Sequence, residues 1–168
     1  IVYVDSNSPN DPGSGTFEDP YRQIQVALNE AFSGDTVLIR PGVYTGDGNF
    51  NLDPLGKSII IRSIDPNDSN IVTNTIIDAN MQGRGFILQN NEDSNCIISG
   101  LTIINGRNKN DLDGGGIYCY ISNPVIRNCV IQNCRAEDSG GGICFSNCSP
   151  LLINCTIKNN IADYYGGA

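Results

Sequence analysis

Three glycine segments repeat at one interval. Gly114-Gly115-Gly116-Ile117 returns as Gly140-Gly141-Gly142-Ile143 and again as Gly166-Gly167-Ala168, 26 residues later each time. The same shift lays Pro124 on Pro150, Ile126 on Leu152, Asn128 on Asn154, Cys129 on Cys155, Ile131 on Ile157, Asn133 on Asn159 and Ala136 on Ala162. A looser copy lies upstream at a shift of 28, with Gly100-Leu101-Thr102-Ile103-Ile104-Asn105 over Asn128-Cys129-Val130-Ile131-Gln132-Asn133. A unit this short cannot bury its own apolar face. Stacked copies share a continuous core, so such a period specifies a solenoid.

The alternation within the unit is that of a strand. Cys129 and Ile131 fall on one side, Val130 and Gln132 on the other. Pro124 and the glycines break the chain before a helix can form, so each repeat reads as two or three short strands joined by bends. A leucine-rich repeat fits Leu152-x-x-Cys155-x-Ile157-x-x-Asn160. However, the other half of the unit, Ile117-Tyr118-Cys119-Tyr120-Ile121, is of β type and points to a β-helix. Further strands are expected at Thr36–Arg40, Ser58–Arg62 and Thr75–Asp78. Ahead of them the sequence predicts one helix, with Asp19 as N-cap, Pro20 in the first turn, Tyr21, Ile24, Leu28 and Ala31 as its apolar stripe, and Gly34 after its end. Laid across the first coil, it would cover apolar side chains and block edge pairing.

The expected fold is therefore all-β, a right-handed parallel β-helix of about five coils behind an N-terminal capping α-helix. Residues 1–35 supply the first strand, loop and cap helix. Residues 36–168 supply the coils of the same single domain, continuing or open at the C-terminal end. A start at Ile1 rather than Met is expected to follow removal of an upstream segment.

The helix and first strand, Asp19-Pro20-Tyr21-Arg22-Gln23-Ile24-Gln25-Val26-Ala27-Leu28 and Gly34-Asp35-Thr36-Val37-Leu38-Ile39-Arg40-Pro41-Gly42-Val43-Tyr44, resemble the opening of pectin-lyase-like right-handed β-helix proteins. Gly-Gly-Gly-Ile and Cys155-Thr156-Ile157-Lys158-Asn159-Asn160 resemble parallel β-helix repeats of surface proteins. There is also some likeness to polymorphic outer membrane protein repeats, with Val130 and Thr156 where those have Phe. The resemblance implies the fold. For function it implies a range from polysaccharide lyases, glycosidases and epimerases to adhesins.

Charge narrows the partners. With 10 basic and 18 acidic residues the net charge is −8, which argues against nucleic acid as a partner. No apolar run approaches the length of a membrane span. An extracellular or cell-surface module is expected, secreted, with a structural, adhesive or carbohydrate-binding role. Its partners would be polysaccharide or further β-helix coils or subunits. The alternatives are the N-terminal part of a polysaccharide lyase, glycosidase or epimerase acting on acidic polysaccharide, and a subunit of an extracellular filament.

Four sets of residues are candidates for chemistry. Asp111, Glu137 and Asp163 form a column just before the glycines, and Asp113 and Asp138 could add ligands, making a candidate Ca²⁺ site whose plainer reading is solvated loop acids. Cys119, Cys129, Cys144, Cys148 and Cys155 are candidate core thiols or disulfides, within an odd total of 7 cysteines. Asn105, Asn133 and Asn159, and likewise Asn128 and Asn154, are expected to turn left-handed bends and to bond to one another along the axis. Asn67, Asn147 and Asn154 head glycosylation sequons. Arg40, Arg62, Arg84, Arg107, Lys109, Arg127 and Arg135 read as solvated charge. No catalytic residue is assigned, and this segment is expected to bind rather than catalyse.

Overall fold

The computed structural model describes residues 1–108 and 113–167. Short strands stack in parallel ladders. A six-stranded sheet contains β1 (Val2–Val4), β2 (Thr36–Ile39), β4 (Ile60–Ser63), β7 (Ile97–Ser99), β10 (Val125–Arg127) and β14 (Leu151–Ile153). A five-stranded sheet contains β3 (Gly42–Tyr44), β5 (Thr75–Asp78), β8 (Thr102–Ile104), β11 (Val130–Gln132) and β15 (Thr156–Lys158). Strands β6 (Phe86–Leu88), β9 (Ile117–Tyr120) and β13 (Ile143–Ser146) form a third sheet, and β12 (Arg135–Ala136) pairs with β16 (Ile161–Ala162). The chain visits the sheets in turn and returns to the first one level on. This is the expected all-β parallel β-helix.

The repeat interval is the ladder register. Ile126 pairs with Leu152 and Ile131 with Ile157 at the 26-residue shift, and Ile103 pairs with Ile131 at the shift of 28. Alternate side chains point inward and form columns. Val37, Ile61, Ile98 and Ile126 are fully buried, as are Ile77, Ile103 and Ile131. Each such side chain contributes roughly 1.5–3 kcal/mol by leaving water. In the following strands Leu152 and Ile157 are only partly buried.

The corners explain the asparagines. Asn105, Asn133 and Asn159 have φ of 54°, 57° and 56°, and Asn128 and Asn154 have 53° and 50°. A single left-handed residue thus turns the chain from one sheet to the next, and Asn accepts that conformation more readily than most residues. The expected amide ladder is corrected: among the described residues no amide bond joins members of either column. Asn105 Nδ2 donates instead to Asp78 Oδ1 at 2.9 Å, and Asn128 Nδ2 donates to Asn67 Oδ1 at 3.0 Å.

The glycine triplet allows coils to touch backbone to backbone. A Cβ on Gly115 would lie 2.3 Å from Gly141 O, and one on Gly116 would lie 2.5 Å from Gly142 O. Any larger residue would push the two levels apart.

Helix α1 (Ile24–Glu30) starts later than expected. Asp19 and Pro20 lie in the preceding turn, and Tyr21 forms a parallel bridge with Val4. The helix has no capping side chain at Gln23. Its first N–H groups are met from a distant loop, Ile24 N donating to Asn49 Oδ1 at 3.0 Å and Gln25 N to Gly48 O at 2.9 Å. Ile24, Ala27, Leu28 and Ala31 face the core, with α1 against β1 and β2. A second helix was not expected. Helix α2 (Ser69–Asn74) is capped by Asp68, whose side chain accepts from Asn70 N, and it buries Val72 against β5 and β8.

Candidate functional site

Sheet pairing assembles a row of side chains on the outer face of the six-stranded sheet. The register runs from Tyr3 to Leu38, Arg62, Ser99, Arg127 and Ile153. At its first end is a hollow of about 550 Å³ bordered by Tyr3, Phe17, Leu38, Arg40 and Ile64. Phe17 is 60% exposed there. Tyr3 meets its ring edge-on at 5.5 Å, and the Arg40 guanidinium lies 4.6 Å from its centroid. Asp5, 3.2 Å away, and the Phe17 carbonyl, 2.7 Å away, hold that guanidinium in place. A fixed cation on an aromatic face gains from the ring quadrupole.

Farther along the row, Ser99 is buried between Arg62 and Arg127. Arg127 Nε donates to Ser99 Oγ at 3.3 Å, and Arg62 Nη1 donates to the carbonyls of Ser63 and Ile64, each at 3.1 Å. Neither arginine forms an ion pair among the described residues, although Arg40, Arg107 and Arg135 all do. Two strand spacings separate them, about 10 Å. Remaining guanidinium N–H groups can therefore donate to anionic oxygens along one face.

A second hollow, about 350 Å³, lies between α2 and the corner residues of later coils. Asn67, Ser69, Thr73, Asn128, Val130 and Thr156 are among its walls. It offers neutral amides and hydroxyls beside an apolar strip.

The acidic column is arranged around cations of the protein itself. Arg107 reaches Glu137 at 3.2 Å and Arg135 reaches Asp163 at 3.0 Å, each bridging to a carboxylate in the following coil. This offsets repulsion between stacked acids. Asp113 Oδ1 accepts from Ser139 N at 3.1 Å, and Asp138 Oδ1 lies 3.3 Å from Ser139 Oγ. Asp111 and Lys109 lie outside the described residues. Among the described residues, no three His, Cys, Asp or Glu side chains gather to hold a metal.

Arg84 corrects the solvated-charge reading. It is 5% exposed, donates through Nη2 to Asp113 O at 2.7 Å and through Nε to Gly114 O at 3.0 Å, and lies over the Tyr118 ring at 4.4 Å. It ties the glycine segment to its neighbours. Two structural residues were missed by the sequence reading. Buried Glu92 accepts from Gly56 N, Asn90 N and Ser122 Oγ at 2.9, 3.0 and 2.7 Å. Asn160 accepts from Cys134 N and donates to Ile131 O at 2.9 and 3.1 Å. Apart from Asn90, their partners are distant in sequence, so the local pattern does not mark them.

Asn67, Asn147 and Asn154 are all exposed. All seven cysteines are free thiols. Cys96, Cys119, Cys129 and Cys134 are buried, while Cys144, Cys148 and Cys155 are partly so. No helix among the described residues is long and apolar enough to cross a membrane.

Residues 55–167 match the family described as right handed beta helix region. The chain is 33% identical over 57 residues to a pectate lyase of Emericella nidulans, a match covering 34% of this chain and 14% of that protein. A solved rhamnogalacturonan lyase is similar with a TM-score of 0.45 and 16% identity, over 99% of this chain and 62% of that one. The chain thus spans less than two thirds of either relative. With two thirds of its residues inside the matched region and every strand ladder parallel, the chain belongs to the right-handed β-helix family.

Proposed function

We propose that the protein is a module that binds acidic polysaccharide along the outer face of its six-stranded sheet. The observation that carries this is the Arg62–Ser99–Arg127 row leading from the Tyr3–Phe17 hollow. Guanidinium groups bind carboxylates with two parallel hydrogen bonds. An aromatic wall offers an apolar surface to the C–H face of a sugar. In a chain of net charge −8 such a strip is a local site for anions, and its attraction should weaken with salt. The similarity to a pectate lyase over 57 residues supports the same class of ligand. The reading makes the module an adhesive or scaffolding element working outside the cell.

Titration calorimetry with polygalacturonate tests it. Binding should fall at least tenfold in the Arg62→Ala, Arg127→Ala double variant and should decline with added salt. Equal affinity for an uncharged polymer, or no loss in the double variant, would sink the reading. The pectate lyase match also favours a second one, that the chain is part of an enzyme cleaving such a polymer. Release of unsaturated product absorbing in the ultraviolet, assayed with Ca²⁺ and with chelator, decides it.

A further inference from the structure

Four of the seven thiols meet in two pairs across neighbouring coils. Cys129 stands one residue before β11 and Cys155 one residue before β15. Val130 pairs with Thr156, and Thr156 N donates to Cys129 O at 2.9 Å. The two cysteines are thus stacked one strand spacing apart, about 4.8 Å, which falls within the range of Cα separations a disulfide spans. Both side chains face inward: Cys129 is in the core and Cys155 packs against it. Cys155 Sγ lies 3.5 Å from Ile126 O, so the sulfur leans toward the coil that carries Cys129.

The second pair bridges the level before. Cys148 Sγ lies 3.3 Å from Cys119 O, and Cys119 Sγ lies 3.0 Å from Ser122 O. Cys148 follows Ser122 by the repeat interval of 26, so both sulfurs occupy one corner. Cys144 is oriented differently. It pairs in register with Tyr118, while Phe145 pairs with the inward Cys119. Alternation therefore directs Cys144 away from the side that Cys148 faces.

The thiols also perturb one another. The Cys155 thiol and burial push Cys129 well up, whereas Cys129 and nearby backbone hydrogen bonds hold Cys155 down. Burial, followed by the Cys148 thiol, pushes Cys119 up. In each pair the partly exposed member, Cys155 or Cys148, is the one an oxidant reaches first.

We propose that Cys119 with Cys148, and Cys129 with Cys155, are paired sites of disulfide formation that staple the last coils of the solenoid together. The oxidant is a small disulfide such as oxidised glutathione. The Cys155 thiolate attacks one of its sulfurs, the S–S bond breaks, and one small thiol leaves after taking up a proton. Cys129 then loses its proton and attacks the Cys155 sulfur of the mixed disulfide, releasing the second small thiol. For each link two protein thiols lose two electrons and two protons, and one small disulfide becomes two thiols. The same sequence starting at Cys148 closes the other link. The staples would lie beside Leu152 and Ile157, which are only partly buried. Three thiols remain, so the odd cysteine count does not oppose the pairing.

The test incubates the full chain with oxidised glutathione, then alkylates it in denaturant and maps the peptides by mass spectrometry. Free thiols should fall from seven to three, with Cys119–Cys148 and Cys129–Cys155 linked peptides. Amide exchange over residues 151–162 should slow on oxidation. Cys155→Ser should retain the Cys119–Cys148 link, leave Cys129 free and lose the slowing. Cys144→Ser should keep both links. Seven free thiols after oxidation, a Cys144–Cys148 link, or glutathione persisting on Cys155 would each overturn the proposal.

Discussion

Ile131 and Ile157 occupy equivalent places in successive coils. Each follows an Asn-Cys corner and each faces inward. Ile131 has Ile103 on one side and Ile157 on the other and is fully buried. Ile157 belongs to the last strand of its sheet and is only partly buried. The same contrast separates Ile126 from Leu152 and Cys119 from Phe145, which is 40% exposed. A repeat's sequence sets the direction of its side chains. Its neighbours set how much water those side chains lose.

The largest effect should come from deleting the two isoleucines separately. Ile131→Ala should cost about 2–5 kcal/mol and Ile157→Ala clearly less, read as loss of thermal midpoint by circular dichroism. Equal losses would break the comparison. Next is the glycine contact. Gly115→Ala places a methyl on Gly141 O and should cost about 1–3 kcal/mol. Gly167→Ala should cost less, because its nearest atom, Asn160 O, is 2.9 Å away.

A third effect is sharper at alkaline pH. Burial pushes the Cys96 thiol up to about 12 from its ordinary value of 9.0. The folded state therefore keeps a proton that the unfolded state gives up. The stabilising contribution is complete below pH 9 and declines as pH rises from there toward the folded value. The share of the slope due to Cys96 is at most about 1.4 kcal/mol per pH unit. Urea unfolding between pH 8 and 10 should show this fall, and Cys96→Ala should lessen it, the remainder coming from Cys119, Cys129 and Cys134, whose thiols are also pushed up. Smallest of all, Arg107→Met should cost about 0–1 kcal/mol, because its ion pair with Glu137 is solvent-facing. A loss beyond that range would show that the cross-coil charge pairs carry stability.

The later coils were legible because their period is constant. Once Cys129 overlies Cys155, every inward residue follows. Earlier coils vary in length: Val37 to Ile61, Ile61 to Ile98 and Ile98 to Ile126 are 24, 37 and 28 residues apart, although all pair directly. No single shift reveals that. The start of α1 was misread because Asp19 and Pro20 are also good turn residues, and the groups that meet the helix N-terminus come from residues 48 and 49. Helix α2 has a local cap in Asp68, but Ile71-Val72-Thr73 is β-branched and only packing on β5 and β8 favours the helix there. The arginine row was invisible for a related reason. Arg62, Ser99 and Arg127 share a face through pairing across unequal intervals, so no motif spells it.

Between Ser63 and Thr75 the chain leaves the ladders, forms α2 and rejoins them in register, Ile61 still opposite Ile98 and Ile77 opposite Ile103. The corner works as a docking port. Closing a longer excursion adds little entropy, since the penalty grows only with the logarithm of its length. A foreign epitope or tag spliced into the turn ahead of α2 would ride outside the scaffold as cargo, leaving every rung where it stands.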